Sequence, residues 1–197
     1  MLQDSTSRRS LFRVAGTGVL SAAAFGLLAG NPAMAAMKGK KGKMGASQGD
    51  IDILNVALGL ELEAIEAYQI GAESGLLDKG TLGVAVAFQS DHKYHAEAEV
   101  ATIMKLGGKP VSAKSRDEYM TGLNIASIKS ATDILRLAQK LELGAVNAYL
   151  GVIPSFSSTA LAQVSAKLAA DEVLHYTALT QALKDQLPVG VNGFPFG

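Results

Sequence analysis

The sequence contains one amphipathic segment twice. LELEAIEAY at residues 60–68 returns as LELGAVNAY at residues 141–149. In both copies apolar residues recur at spacings of three and four, which is the period of a helix with one buried face. Five positions of this face are identical after 81 residues: Leu54, Ala57, Glu61, Ala64 and Tyr68 match Leu135, Ala138, Glu142, Ala145 and Tyr149. Such a repeat predicts a protein built from two copies of one helical unit.

The same periodicity divides the chain from residue 50 to residue 187 into four predicted helices. They span about 50–73, 81–107, 130–154 and 158–187, with Asp50 as a suitable N-cap for the first. The links within the first pair and within the second pair are short, whereas the link over 107–129 is long. We therefore predict an all-α fold, an antiparallel four-helix bundle of two helical hairpins joined by one long crossover.

The first 35 residues have the features of an export signal. Arg8 and Arg9 precede an uncharged stretch over 14–30, and Ala33-Met34-Ala35 has the small-x-small pattern of a signal-peptidase site. This segment resembles a twin-arginine signal peptide, which implies export of a folded protein and periplasmic localisation. The alternative is an uncleaved signal that anchors the protein in the membrane, although the apolar stretch is short for a span. We expect membrane contact only in that second case.

Composition separates the N-terminal region from the helical part. Residues 36–49 form a Lys/Gly-rich segment without hydrophobic period, which predicts a flexible linker, and the Gly/Pro-rich tail over 188–197 predicts irregular structure. Seven basic residues and one acid precede Asp50, whereas 11 basic and 17 acidic residues follow from there. This mildly acidic domain argues against nucleic acid as a partner.

The absence of cysteine excludes a disulfide framework and thiolate chemistry, so any metal must have nitrogen and oxygen ligands.

Each repeated helix carries a glutamate where a bundle core normally has an apolar residue. Glu61 and Glu142 occupy these inward positions, whereas Glu63 and Glu66 are turned toward a flank or solvent. Burying an unpaired carboxylate is costly, so the fold must supply partners for both inward glutamates. The alanines beside them leave room for an ion and its waters.

The second and fourth helices supply suitable partners at matching positions. Asp91-His92-Lys93-Tyr94-His95 aligns with Asp171-Glu172-Val173-Leu174-His175 at an offset of 80, and these segments contain all three histidines of the chain. Positions i and i+3 lie on one helix face, one turn apart. A single buried His or Glu is more often a hydrogen-bonded core residue, but six at matching heights on four helices favour a metal site. The candidate ligands are Glu61, His92, His95, Glu142, Glu172 and His175.

At these residues the chain resembles the di-iron carboxylate proteins of the ferritin-like superfamily. That family has one Glu on the first and third helices and Glu-x-x-His on the second and fourth. The resemblance covers residues 50–187 and implies two iron ions, with Glu61 and His95 on one and Glu142 and His175 on the other. Glu172 would bridge the two ions.

His92 departs from the family pattern, which has a bridging glutamate at this position. An imidazole cannot bridge two ions as a carboxylate does. Three alternatives stay open: two ions with His92 as a terminal ligand, a single ion of iron, manganese, zinc or copper, or a carboxylate supplied instead by Glu99. Glu99 lies one turn beyond His95 on the same face.

Four further residues are candidates for supporting the ligands. Asp91 and Asp171 precede the two triplets, and the family resemblance implies that each hydrogen-bonds a histidine across the bundle; the alternative is an ordinary exposed helix aspartate. Tyr68 and Tyr149 lie two turns from the seam glutamates. Their positions favour plain core packing over hydrogen bonds to ligands or electron relay. No residue of the chain is predicted to be catalytic in its own right.

The resemblance implies two hypotheses about function. One is a periplasmic oxidase, peroxidase or metal-oxidising protein whose partners are metal ions and O2 or H2O2, acting in oxidative or metal stress. The other is a non-catalytic stress-related bundle with a degenerate or mononuclear site, which the loss of a bridging glutamate favours. A homo-oligomer is compatible with either hypothesis.

Overall fold

The computed structural model describes residues 48–187, and all regular structure in this range is helical. The helices are α1 (Gln48–Glu73), α2 (Lys79–Lys105), α3 (Arg116–Gly122), α4 (Ala131–Val152) and α5 (Thr159–Ala182), with 3-10 turns at Ile125–Ser127 and Ile153–Ser155. The predicted signal peptide, nearly all of the predicted linker and the tail over 188–197 lie outside the described residues. The prediction of an all-α fold is confirmed.

The helices pack as two hairpins. Helix α1 packs along α2, α4 packs along α5, and contacts between α1 and α4 join the two pairs. The predicted four-helix bundle with one long crossover is therefore present. Apolar clusters lie toward both ends of the bundle, with Leu58 and Ile103 in one and Ala85 and Leu179 in the other. The inward glutamates and histidines occupy the layer between these clusters.

The crossover contains a short helix that the periodicity did not predict. Seven-residue α3 begins with a capping box in which Ser115 and Glu118 exchange side-chain and backbone hydrogen bonds. Arg116 attaches this helix to α1, since its guanidinium lies 3.3 Å from a carboxylate oxygen of Glu66 and 2.5 Å from one of Glu73. Glu66, predicted to be a surface charge, is thereby partly covered.

Two helix starts differ from the predicted ones. Helix α1 begins two residues before Asp50, so Asp50 is in the first turn rather than at the N-cap. Its carboxylate is 1% exposed and accepts hydrogen bonds from the backbone N–H (2.8 Å) and hydroxyl of Ser157. Asp50 thus ties α1 to the segment before α5. Helix α2 begins at Lys79, where Asp78 caps Gly80 and Thr81.

None of the described helices is long and apolar enough to cross a membrane.

Candidate metal centre

The structure brings the six predicted ligands together in the middle of the bundle. Helices α1 and α4 each contribute a glutamate, α2 contributes two histidines, and α5 contributes a glutamate and a histidine. All six side chains are nearly inaccessible, with 0% to 4% of their surface exposed. Because each comes from the inward face of its helix, the pairing of the hairpins places them at one level. They are Glu61, His92, His95, Glu142, Glu172 and His175.

Four of these residues form a first possible ligand group. The Nδ1 atom of His92 lies 2.8 Å from Glu61 Oε2, and Nδ1 of His95 lies 3.5 Å from Glu61 Oε1. The same His95 nitrogen is 3.0 Å from Oε1 of Glu172. One ligand atom from each of these four side chains lies within 4.8 Å of the others, which is compact enough to surround one ion.

A second group of four lies beside the first. His175 Nδ1 is 3.4 Å from Glu142 Oε2 and 3.2 Å from Glu172 Oε2, and His92 Nε2 is 3.3 Å from Glu142 Oε1. Its ligand atoms also lie within 4.8 Å of one another. Both groups include His92 and Glu172. The two oxygens of Glu172 face different histidines, so this carboxylate stands between the two groups.

The donor atoms fit a metal better than they fit one another. Among the described residues, Nδ1 of His95, Oε2 of Glu142 and Oε1 of Glu172 are buried without a hydrogen-bond partner of proper geometry, although imidazole and carboxylate atoms lie close by. Buried polar atoms normally have partners, and a metal ion is a partner that these donor atoms could share. Mixed imidazole and carboxylate donors suit iron, manganese, zinc and copper.

Without a metal, the cluster is stabilised by charge pairing. Burial opposes the charged form of Glu61, but the charges and hydrogen bonds of His92 and His95 outweigh it and lower its pKa to about 2. Burial also opposes protonation of His92, yet the charges of Glu172 and Glu61 raise its pKa to about 10. Burial opposes protonation of His175 as well, but its contacts with the carboxylates of Asp91, Glu142 and Glu172 raise its pKa to about 11. Metal binding must therefore displace protons from the histidines.

The two aspartates contact histidines of the opposite hairpin. Asp91 Oδ2 on α2 lies 3.3 Å from Nε2 of His175 on α5, and Asp171 Oδ2 on α5 lies 3.5 Å from Nε2 of His95 on α2. In both histidines Nδ1 faces the glutamates. Asp91 accepts a hydrogen bond from Nε2 of His175, which orients that ring and favours the tautomer that leaves Nδ1 free for a metal. Asp171 lies within ion-pair distance of His95 Nε2 but without hydrogen-bond geometry.

The tyrosines do more than fill the core, contrary to the preferred sequence interpretation. Tyr68 on α1 donates a hydrogen bond to Glu142 on α4, and Tyr149 on α4 donates one to Glu61 on α1. Each hydroxyl therefore orients the candidate ligand of the other repeat. Both phenols are buried, with 6% and 4% of their surface exposed, so core packing and ligand contact occur together.

Glu99 lies next to the cluster rather than in either ligand group. Its side chain is 3% exposed, and Oε1 is 3.0 Å from the hydroxyl of Tyr149, which also contacts Glu61. Burial and the charge of Glu61 raise the pKa of Glu99 well above its usual value. The phenol has one proton for two carboxyl groups, and the raised pKa of Glu99 favours the protonated form, which would not compete with Glu61 for that proton.

Phe88 is a neighbour of the site that the sequence interpretation did not include. Its ring stacks on the imidazole of His175 with centroids 4.0 Å apart. Phe88 lies four residues before His92 and therefore on the same inward face of α2. The spacing that identified the histidines could also have identified Phe88.

The sequence matches a family model over residues 49–185, described as a ferritin-like domain. The chain belongs to this family. Among solved structures, this ferritin-like chain is similar to a conserved hypothetical protein, rv2844, from Mycobacterium tuberculosis, with a TM-score of 0.62 and 19% sequence identity. The match covers 70% of this chain and 98% of that one, and at this identity it supports the fold alone. No curated protein matches the sequence.

Proposed function

We propose that this ferritin-like protein binds two iron ions in the centre of its bundle and reacts there with O2 or H2O2. The observation that carries the proposal is the pair of overlapping ligand groups sharing Glu172 and His92. Glu61 and His95 would hold one ion, Glu142 and His175 the other. Glu172, whose two oxygens face the two groups, would help to hold both ions, and His92 would be a further ligand. Bound iron(II) would supply the electrons that reduce the oxidant and would itself be oxidised to iron(III).

The protein's own residues would hold the ligands in place and restrict water. Tyr68 and Tyr149 orient the two seam glutamates, Asp91 orients His175 by a hydrogen bond, and Asp171 faces His95 as a countercharge. Apolar clusters on both sides of the polar layer limit solvent access, which strengthens electrostatic interactions inside. Such a site favours small oxidants over large polar substrates.

The proposed location is the periplasm, reached by the twin-arginine route. Support comes from Arg8, Arg9 and the cleavage pattern ending at Ala35. Replacing both arginines by lysine should leave the precursor uncleaved in the cytoplasm, and mass spectrometry of the exported protein should place its new N-terminus at residue 36. An exported chain that retains its first residues would support the membrane-anchored alternative.

The decisive test is the number of metal ions per chain in protein loaded in its own host. We expect about two irons in the parent and loss of both binding and oxidant consumption in Glu172→Ala, because the shared carboxylate serves both ligand groups. Glu97→Ala, which removes an exposed carboxylate from α2, is the matched control and should leave both unchanged. Metal binding and oxidant consumption that survive in Glu172→Ala would disprove the site.

One observation favours a non-catalytic protein as the second candidate. His92 contacts Glu61 through Nδ1 and Glu142 through Nε2, so one imidazolium is shared by both seam carboxylates without an ion. A stress-related bundle could persist with such a polar core. About one ion per chain, or none after native loading, would support this candidate over the dinuclear one.

A further inference from the structure

A large cavity lies at the end of the bundle where α1 ends and α2 begins. Its volume is about 620 Å³, within the range of small-molecule pockets. Helices α1, α2, α4 and α5 all contribute to its wall, and Ile125 and Ile128 of the crossover close one side. A cavity walled by four helices and the crossover, with one open side, accepts a compact molecule more readily than the face of another protein.

The lining is apolar, and its few polar groups are already engaged. Asp78 accepts hydrogen bonds from the backbone of Gly80 and Thr81, and Ser74 donates to the carbonyl of Gly71. No described lysine, arginine or histidine lines the cavity. An anionic ligand would lose its hydration there without gaining an opposite charge, and a cation would find only Asp78, whose carboxylate already accepts three hydrogen bonds at the helix start, so the cavity favours an uncharged ligand.

The inner wall of the cavity is formed by two aromatic residues that contact the candidate metal ligands. Tyr68 lines the cavity and donates a hydrogen bond to Glu142, while Phe88 lines it and stacks on His175. At the opposite, outer side, Leu76 and Val84 are 40% and 46% exposed and mark an apolar entrance. A molecule entering here would stop one side chain away from the cluster.

We propose that this cavity binds an uncharged, mainly aliphatic organic molecule, held against Tyr68 and Phe88. The inference goes beyond metal binding, because the cavity lies outside both ligand groups and its walls do not depend on an ion. It assigns the protein a second ligand of stated chemistry beside the metal centre.

The test uses metal-free and metal-loaded protein with the uncharged fluorescent probe N-phenyl-1-naphthylamine. Straight-chain primary alcohols of increasing length should displace the probe, each methylene tightening binding about fourfold until the cavity is full. Beyond that length the affinity should stop rising. An affinity that keeps rising with chain length indicates adsorption to an open surface and would overturn the proposal, as would absence of probe binding.

Cavity-filling variants locate the binding. Ala178→Phe, on the α5 wall, should weaken probe binding by roughly tenfold or more, because the ring occupies space needed by the ligand. Ala166→Phe, at an exposed position of the same helix, is the matched control and should bind as the parent does. Ala67→Leu fills the cavity from α1 and serves if Ala178→Phe does not fold. Unchanged probe binding in a folded filling variant would disprove the assignment.

Two further outcomes distinguish ligand binding in the cavity from the proposed iron chemistry and from a contact between copies of the chain. A protein that binds the probe but no metal would disprove the proposed iron chemistry while supporting the cavity. A parent chain that is dimeric and binds no probe, with Ala178→Phe monomeric, would assign the cavity to contact between copies and overturn the proposal.

Discussion

At the scale of single residues, the candidate centre is two related halves whose buried His and Glu positions differ at two places. His92 aligns with Glu172, and Glu99 aligns with Leu179. One half therefore has a histidine in place of a carboxylate at a ligand position and carries another carboxylate two turns further along the same helix. Glu99 is buried and hydrogen-bonded through Tyr149, so the layer still holds four carboxyl groups and three imidazoles. His92 in place of a glutamate and Glu99 in place of a leucine together explain how the chain can differ from the family pattern and still bury this polar layer.

The tyrosine contacts give a prediction at this scale. Tyr149→Phe removes a hydroxyl within reach of both Glu61 and Glu99, whereas Tyr68→Phe affects only Glu142. Leaving buried acceptors unsatisfied costs about 1–3 kcal/mol, and we expect Tyr149→Phe to lower the unfolding free energy of metal-free protein more than Tyr68→Phe does.

Urea denaturation monitored by circular dichroism measures these differences. Tyr94→Phe is the control because its side chain is 48% exposed, and it should change stability by less than about 0.5 kcal/mol. If Tyr149→Phe were no more destabilising than Tyr94→Phe, the buried hydroxyl would contribute nothing beyond packing.

At the scale of helices, periodicity predicted the four long elements because each buries one continuous face. It did not predict α3, whose seven residues are too few for a helical period to be recognised and depend on a capping box and on Arg116 docking to α1. The role of Asp50 was missed for a related reason. A local capping pattern indicates a helix start, whereas the partner Ser157 is 107 residues away in the sequence.

Two glycines allow a test of helix packing. An added methyl group at Gly108 would lie 2.6 Å from Ile51 Cγ2 and 3.0 Å from Ile103 Cγ2, whereas at Gly59 it would meet nothing within 4 Å. We expect Gly108→Ala to destabilise the protein by about 1–3 kcal/mol through overpacking. Gly59→Ala, inside α1, should stabilise it by about 0.5–1 kcal/mol, since alanine loses less entropy in a helix.

Thermal and chemical unfolding of the two variants provide the measurement, with the parent as reference. A neutral Gly108→Ala would mean that α1 and the end of α2 can separate slightly at this contact. A destabilising Gly59→Ala would mean that this face of α1 is covered in solution, for example by a second copy.

At the scale of the whole molecule, buried charges should control how stability depends on pH. In metal-free protein the pKa values of His92 and His175 are raised to about 10 and about 11, so their contribution is complete below the unfolded value of about 6.5 and is lost as pH rises above it. The pKa of Glu61 is lowered to about 2, so its contribution is complete above about 4.5 and is lost as pH falls. Stability should be greatest between these limits.

Urea unfolding in the presence of a chelator, at about pH 5.5 and about pH 9, tests this dependence. We expect the lower unfolding free energy at the alkaline pH. Metal affinity should change in the opposite direction, because ions compete with protons for the same histidines. A metal-free protein that becomes more stable from pH 6 to pH 9 would contradict the assigned charge pairs.

The repeat and the helical period were sufficient to predict the bundle, its two hairpins and the six candidate ligands. These features depend on which residues share a helix face, and that is a local property of the chain. Only the tertiary structure decided that Tyr68 and Tyr149 contact each other's repeat, that Glu99 stays outside both ligand groups, and that a cavity reaches Phe88. Each of these depends on the distance between side chains of different helices, which spacing along one helix does not determine.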